Sequence, residues 1–241
     1  MNSSGAGYTR LYNLQDRFLQ WFVRLDLPFY LTGGTALGRF YLNHRYSNDL
    51  DFFVNNDPFF NDHISIIRKY LEKQFTVDIH NSLFSDDFTR VFIEDENLML
   101  KIELVNEIEY RAGKPIKYAY GLIDTLDNIL SNKLTAIISR DEPKDIYDII
   151  YLAMNYSFNW KEIFYHAKHK AVINEIDVER RLTNFPVSWL SNVNWLNAKP
   201  DIDQLKKKLE TIADDFLLGK DNTLGKNKPR LEEALPIDLT K

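Results

Sequence analysis

The sequence predicts an α/β (α+β) fold, a small mixed sheet flanked by helices and followed by a mostly helical C-terminal domain. Three observations carry this. Short runs rich in β-branched and aromatic residues alternate with helical patterns over the first half of the chain. A glycine pair, Gly33-Gly34, separates an apolar strand-like run from a helical one. From Thr125 onward the apolar spacing is helical and stays so. The expected division is a sheet-bearing domain over residues 8–123, a helical domain over 124–219, and a flexible or loosely packed tail over 220–241.

Taken in order, Leu11, Leu14, Phe18, Trp21, Phe22 and Leu25 recur at helical spacing. They predict an amphipathic helix over residues 11–25 whose apolar face covers the sheet. It ends before Pro28, because a proline pushes the residue before it out of the helical region. Phe29-Tyr30-Leu31 then reads as a short strand. After the turn Asn55-Asn56-Asp57-Pro58, the residues Ile64, Ile67, Leu71 and Phe75 mark a second helix. Strands are expected at 76–80, 88–94 and 98–105, separated by Asp, Asn and Ser turns.

Leu126, Ile129, Leu130, Leu134, Ile137 and Ile138 form the buried stripe of a helix over 124–139. Pro143 opens the next helix after Asp141-Glu142, and Asp145 and Asp148 stand three apart on the face away from Ile146, Ile149 and Ile150. Further helices follow around Trp160 to Ala167, around Val178 and Leu182, and from Ile202 to a stop at Gly219. His166 and His169 stand three apart and are expected as surface polar residues rather than metal ligands. The tail carries Gly, Asn, Lys and Pro, with Leu231, Leu235 and Leu239 as its apolar contacts.

The chemistry concentrates between Leu31 and Val54, in LTGGTALGRFYLNHRYSNDLDFFV. In an extended strand side chains alternate faces, so Asp49 and Asp51 point one way while Leu50, Phe52 and Val54 enter the core. Two carboxylates a few Å apart repel each other unless a divalent cation sits between them. The glycine pair permits a positive φ and close approach, and the helix after it offers free N–H groups, an arrangement suited to phosphate. A phosphate cradle beside paired acids points to metal-assisted phosphoryl or nucleotidyl chemistry. Farther on, Glu103 lies opposite the apolar row Leu98, Leu100, Ile102 and Leu104, and would join the two aspartates if its strand pairs beside theirs. The plainer alternative is a solvated strand residue. Lys133 interrupts the apolar stripe of its helix, either snorkelling to water or reaching a phosphate group.

The wording GGTAL…HRYSNDLDF resembles the signature of the polymerase-beta-like nucleotidyltransferases, and in particular the AbiEii/AbiGii toxin family. KLTAIISRDEPKDIYDI, residues 133–149, is similar to a further motif of that family, so the resemblance covers roughly residues 29–155. It implies a nucleotidyltransferase fold and attack of an acceptor hydroxyl on the α-phosphorus of a nucleoside triphosphate. Asp49, Asp51 and Glu103 would hold two magnesium ions, with manganese as a substitute; many relatives have Asp where Glu103 stands. Gly33, Gly34 and Thr35 would hold the terminal phosphates, and Lys133 would neutralise their charge. Arg45 and Ser47 would shape the turn or touch phosphate, and Asp145 would position or deprotonate the acceptor hydroxyl. A role for Asp148 is left open. The implied partners are the triphosphate, an RNA acceptor such as tRNA, and a cognate antitoxin.

Composition sets the bounds. With 241 residues, 44% of them apolar, the chain can bury a proper core. It has no cysteine, which removes disulfides, thiolate metal sites and thiol nucleophiles. No apolar leader or stretch of membrane-spanning length occurs, so a cytoplasmic protein without a membrane role is expected. A net charge of −5 argues against a uniformly basic nucleic-acid surface, leaving local patches such as Lys206-Lys207-Lys208 or residues 220–230. No P-loop, dinucleotide fingerprint or HExxH motif occurs. Two other readings stand beside the RNA-directed transferase: a small-molecule, antibiotic-type nucleotidyltransferase, and a nucleotide-binding regulatory protein without turnover.

Overall fold

Strand β1 (Tyr30–Thr32), helix α2 (Gly33–Phe40) and strand β2 (Leu50–Asn55) form the centre around which a computed structural model builds the chain. It describes residues 3–191, 193–196 and 199–239, with side chains from Gly7 onward. β1 and β2 run antiparallel, and β6 (Leu98–Glu107) lies parallel to β2 on its other side. Outward from β6 come β5 (Phe88–Asp95) and then the two-residue strands β3 (Thr76–Val77) and β4 (Leu83–Phe84). On the far side β8 (Gly121–Ile123) lies parallel to β1, with β7 (Ile116–Tyr118) antiparallel to it. The sheet is therefore mixed and open, as the sequence predicts.

Burial along β2 alternates: Leu50, Phe52 and Val54 are enclosed, whereas Asp51 and Phe53 are only partly so. The enclosed face is covered by α1 (Ser3–Phe22), whose Phe18 and Phe22 rings meet Phe52 at centroid distances of 6.0 and 4.4 Å. Each such ring removed from water contributes on the order of 2 kcal/mol. The helix begins eight residues earlier than the apolar spacing indicates and ends through one 3-10 turn at Asp26, which takes a φ of 52°.

The opposite face of the sheet carries Asp51 and Glu103. Near it stand α4 (Leu126–Ser139), started by Thr125 accepting from the Asn128 N–H, and α5 (Pro143–Asn155). Then follow α6 (Trp160–Lys168), α7 (Glu175–Thr183) and α8 (Ile202–Leu217). One buried apolar cluster runs from Leu11 to Leu231, so the sheet-bearing and helical parts share a core. Among the described residues no helix is long and apolar enough to cross a membrane.

Two expectations are corrected. The strand expected over 76–80 stops at Val77, because the Asp78 carboxylate accepts from the N–H groups of His80 and Asn81 and folds the chain into a turn. The segment from Lys220, expected to be flexible or loosely packed, is anchored. Asn222 donates to the carbonyls of Ala153 and Tyr156 at 2.7 and 2.8 Å, Ser157 donates to Pro229, and Leu231 is buried. Leu235 and Leu239, by contrast, stay exposed.

Candidate active site

Strand register decides which side chains meet. Thr32 faces Asp51 across β1 and β2, Asp51 faces Glu103 across β2 and β6, and Glu103 faces Arg90 across β6 and β5. Partners opposite one another in a sheet present their side chains on one face, so these four form a single row. Arg90 closes on Glu103 Oε1 with Nε at 2.7 Å and Nη2 at 2.6 Å. Lys101, two residues before Glu103 and on the same face, places its Nζ 3.1 Å from Asp49 Oδ2 and 3.5 Å from Glu103 Oε1.

Burial, followed by the charges of Glu103 and Asp49, raises the Asp51 carboxyl to about 7, against a smaller opposing pull from Lys101 and Lys133. Glu103 and Asp49 thus both act on Asp51. The three acids do not form a free triad: among the described residues no three His, Asp or Glu side chains are grouped to hold a metal ion. The reason is visible in the contacts, since Glu103 is turned onto Arg90 and the Lys101 ammonium stands between Asp49 and Glu103. All-oxygen donors still fit a hard cation such as magnesium, which would have to compete with that ammonium.

The glycine turn is shaped by what surrounds it. Gly33 has a φ of 69°, and a Cβ there would come within 2.5 Å of Asp51 Oδ2. A Cβ on Gly34 would lie 2.7 Å from Arg45 Nη2 and 3.1 Å from Ser47 Oγ. Arg45 and Ser47 are buried behind the turn and so support it. Thr35 is buried too, and its hydroxyl donates to the carbonyl of Asp49, fixing the backbone just ahead of β2. Thr32 precedes the helix but does not cap it, because its hydroxyl donates instead to Asp124 Oδ2 at 2.6 Å. The first N–H groups of α2 are left without a side-chain cap from that position.

A charge network joins this turn to the helices. Arg45 is bound to Asp148 through Nε–Oδ1 at 2.6 Å and Nη2–Oδ2 at 2.7 Å, and His44 Nε2 adds a contact at 2.8 Å. Lys133 reaches Asp145 Oδ1 at 2.6 Å and Asp148 Oδ2 at 2.7 Å, and Arg140 Nε meets Asp145 Oδ2 at 2.7 Å. Burial alone would raise both aspartates; Lys133, joined by Arg45 at Asp148 and Arg140 at Asp145, overcomes it and holds them low. Both are buried. Asp145 thereby departs from the expected role beside the acceptor hydroxyl, since its two oxygens are occupied by cations and its basicity is lowered.

Between the sheet and α4 lies a cleft of about 320 Å³. It brings together Gly33, Asp51, Glu103 and Lys133, with Phe53 and Val105 on its floor and Asn132, Arg140 and Lys170 on its wall. Asp49, Gly34, Thr35, Arg45, Ser47 and Asp145 stand outside its lining. A second hollow beside α7 shares Arg140 but holds none of Asp49, Asp51 and Glu103. Sequence reasoning missed Arg90, Lys101 and Lys170. Alternation put Lys101 beside Glu103, but nothing in the sequence set the register that brings it to Asp49.

Comparisons with known proteins bear on the family and the fold. A family model described as the nucleotidyl transferase AbiEii toxin of a type IV toxin–antitoxin system matches residues 17–235. The fold is similar to that of JHP933 from Helicobacter pylori, at 19% identity and a TM-score of 0.59, over 90% of this chain and 94% of that one. It is also similar to MenT4, a nucleotidyltransferase toxin from Mycobacterium tuberculosis, at 13% identity and a TM-score of 0.56, over 93% and 88%. No curated protein sequence matches the chain.

Proposed function

We propose, since the chain belongs to the AbiEii nucleotidyltransferase toxin family, that it moves a nucleoside monophosphate from a nucleoside triphosphate to an acceptor hydroxyl. It would act as the toxin of a toxin–antitoxin pair, with RNA, tRNA foremost, as the acceptor and a cognate antitoxin as its partner. One observation carries the reading: the uncapped start of α2 and the Asp51 carboxylate meet so closely that only glycine fits at residue 33. Positive N–H ends that suit phosphate, side by side with acids that suit a cation, are the arrangement a metal-bound phosphate needs.

The N–H groups of Gly33, Gly34 and Thr35 would receive the terminal phosphates. Lys133 and Arg140 line the same cleft and supply positive charge to the phosphates, while Asp145 holds both cations in place. Thr35 keeps Asp49 in position through its carbonyl. Asp49, Asp51 and Glu103 are the residues that would hold magnesium, which when bound lowers charge on the phosphates and favours the deprotonated acceptor hydroxyl. The apolar floor of Phe53 and Val105 offers a surface for the nucleobase.

The test is incubation with each radiolabelled triphosphate, magnesium and total RNA. Label is expected on RNA with the wild type and not with Asp49→Ala or Asp51→Ala. Label on a low-mass acceptor alone would replace RNA by a small molecule, and no transfer to anything would overturn the reading.

A further inference from the structure

The contact between Lys101 and the paired acids is not accounted for by the reading above, on which this inference rests. A two-metal site clamps its ions between shared carboxylates, roughly 4 Å apart. Here one of those inter-carboxylate positions already holds a cation. Lys101 Nζ bridges Asp49 Oδ2 at 3.1 Å and Glu103 Oε1 at 3.5 Å, and its side chain is 29% exposed. Arg90 closes the other side of Glu103 Oε1 at 2.6 Å. A magnesium ion, with oxygens at about 2.1 Å, and an ammonium cannot share the space between the same two oxygens. Together Lys101 and Arg90 bring two positive charges to the site, the charge of one divalent ion.

We propose that Lys101 is a resident cation of the active site, standing between Asp49 and Glu103 in the place of one of two metal ions, so that transfer needs only a single divalent ion. A lysine is suited to this as a compact point charge with three donors on a flexible stem. It neutralises phosphate charge and steadies Asp49 and Glu103, while the metal keeps the tasks that need a Lewis acid.

The experiment counts manganese(II) bound per nucleotide, by electron paramagnetic resonance, with each of four α,β-imido nucleoside triphosphates in turn. Wild type is expected to bind one ion per nucleotide with no metal–metal coupling in its spectrum. Lys101→Met keeps most of the stem, frees the position, and is expected to bind two coupled ions; Lys101→Arg keeps the charge and should still bind one. Circular dichroism melts establish that each variant is folded before it is counted. Two coupled ions in the wild type would mean that Lys101 swings away, and would overturn the proposal while leaving the nucleotidyltransferase reading intact. One ion in folded Lys101→Met would overturn it equally. If no imido nucleotide and no manganese bind to the wild type, the reading itself fails and the proposal with it.

Discussion

Arg45 grips the carboxylate of Asp148 with two edges of its guanidinium, at 2.6 and 2.7 Å, although the two residues lie 103 positions apart in the chain. Both are buried, at 2% and 0% exposure, so neither charge has water to fall back on. The pair fastens the loop before β2 to α5, and through Lys133 it reaches the cleft. Removing one member leaves buried cations uncompensated. Asp148→Asn is expected to cost about 3–5 kcal/mol in urea denaturation, with part of that recovered when Arg45→Met is added. A loss below about 1 kcal/mol would show that the network is not structural. The sign with pH follows from the depressed carboxyl of Asp148. The stability it contributes is present above the ordinary carboxylate range, near pH 4, and is lost as pH falls through its folded value.

Gly33 carries two independent demands, a φ of 69° and the nearness of Asp51 Oδ2. Gly33→Ala is expected to destabilise by about 1–3 kcal/mol and to abolish nucleotide transfer. Asp51→Gly removes the carboxylate but not the backbone strain, so in that background Gly33→Ala should still lower stability in thermal melts, by less than in the wild type. No loss on adding Gly33→Ala to Asp51→Gly would mean that the φ imposes no strain.

How much of this was legible depended on the range of the interactions. Gly33, Asp51 and Glu103 declared themselves through local pattern: a glycine turn, and alternation that separated acids from Leu50, Phe52 and Ile102. Those are properties of single strands, and the fold class followed from them. Lys101 and Arg90 could not be found that way, because their contacts depend on the register between β2, β6 and β5. The ion pairs of Asp145 and Asp148 were not foreseen for a related reason. Helical spacing shows which residues share a face but not that Arg45 and Lys133 arrive to pair with that face. The anchored tail was hidden too, since Asn222 holds it through the carbonyls of Ala153 and Tyr156, contacts without any composition signal.

Lys133 serves structure and cleft at once, with Nζ within 2.7 Å of both Asp145 and Asp148 and the residue only 6% exposed. Lys133→Met should therefore lose both. Stability is expected to fall by on the order of 3 kcal/mol, since Asp145 keeps only Arg140, and Asp148 only Arg45 and His44. Nucleotide affinity should fall by about 1.5–3 kcal/mol when calorimetry is run under conditions where the variant is folded. Stability lost with affinity unchanged would assign Lys133 to structure alone.

The Asp51 carboxyl links the site to stability through pH. It is raised to about 7 by burial, and further by Glu103 and Asp49, whereas in the unfolded chain it titrates near 4. Below pH 4 both states hold the proton, and Asp51 has no effect on folding. Between about 4 and 7 the folded state keeps a proton that the unfolded state has released, so stability falls as pH rises, and above 7 the loss is complete. Asp51→Asn removes this titration. In EDTA the variant is expected to match the wild type near pH 4 and to exceed it at pH 8 by on the order of 2 kcal/mol, discounted for the carboxylate's partial exposure. Magnesium with a bound triphosphate should reverse the order. It stabilises the wild type by about 2.7 kcal/mol at a hundredfold excess over the dissociation constant, and finds no complete site in the variant. Melting curves at the two pH values decide the matter: a variant less stable than wild type at pH 8 in EDTA would make Asp51 a structural hydrogen-bonding residue rather than a member of a strained group of acids.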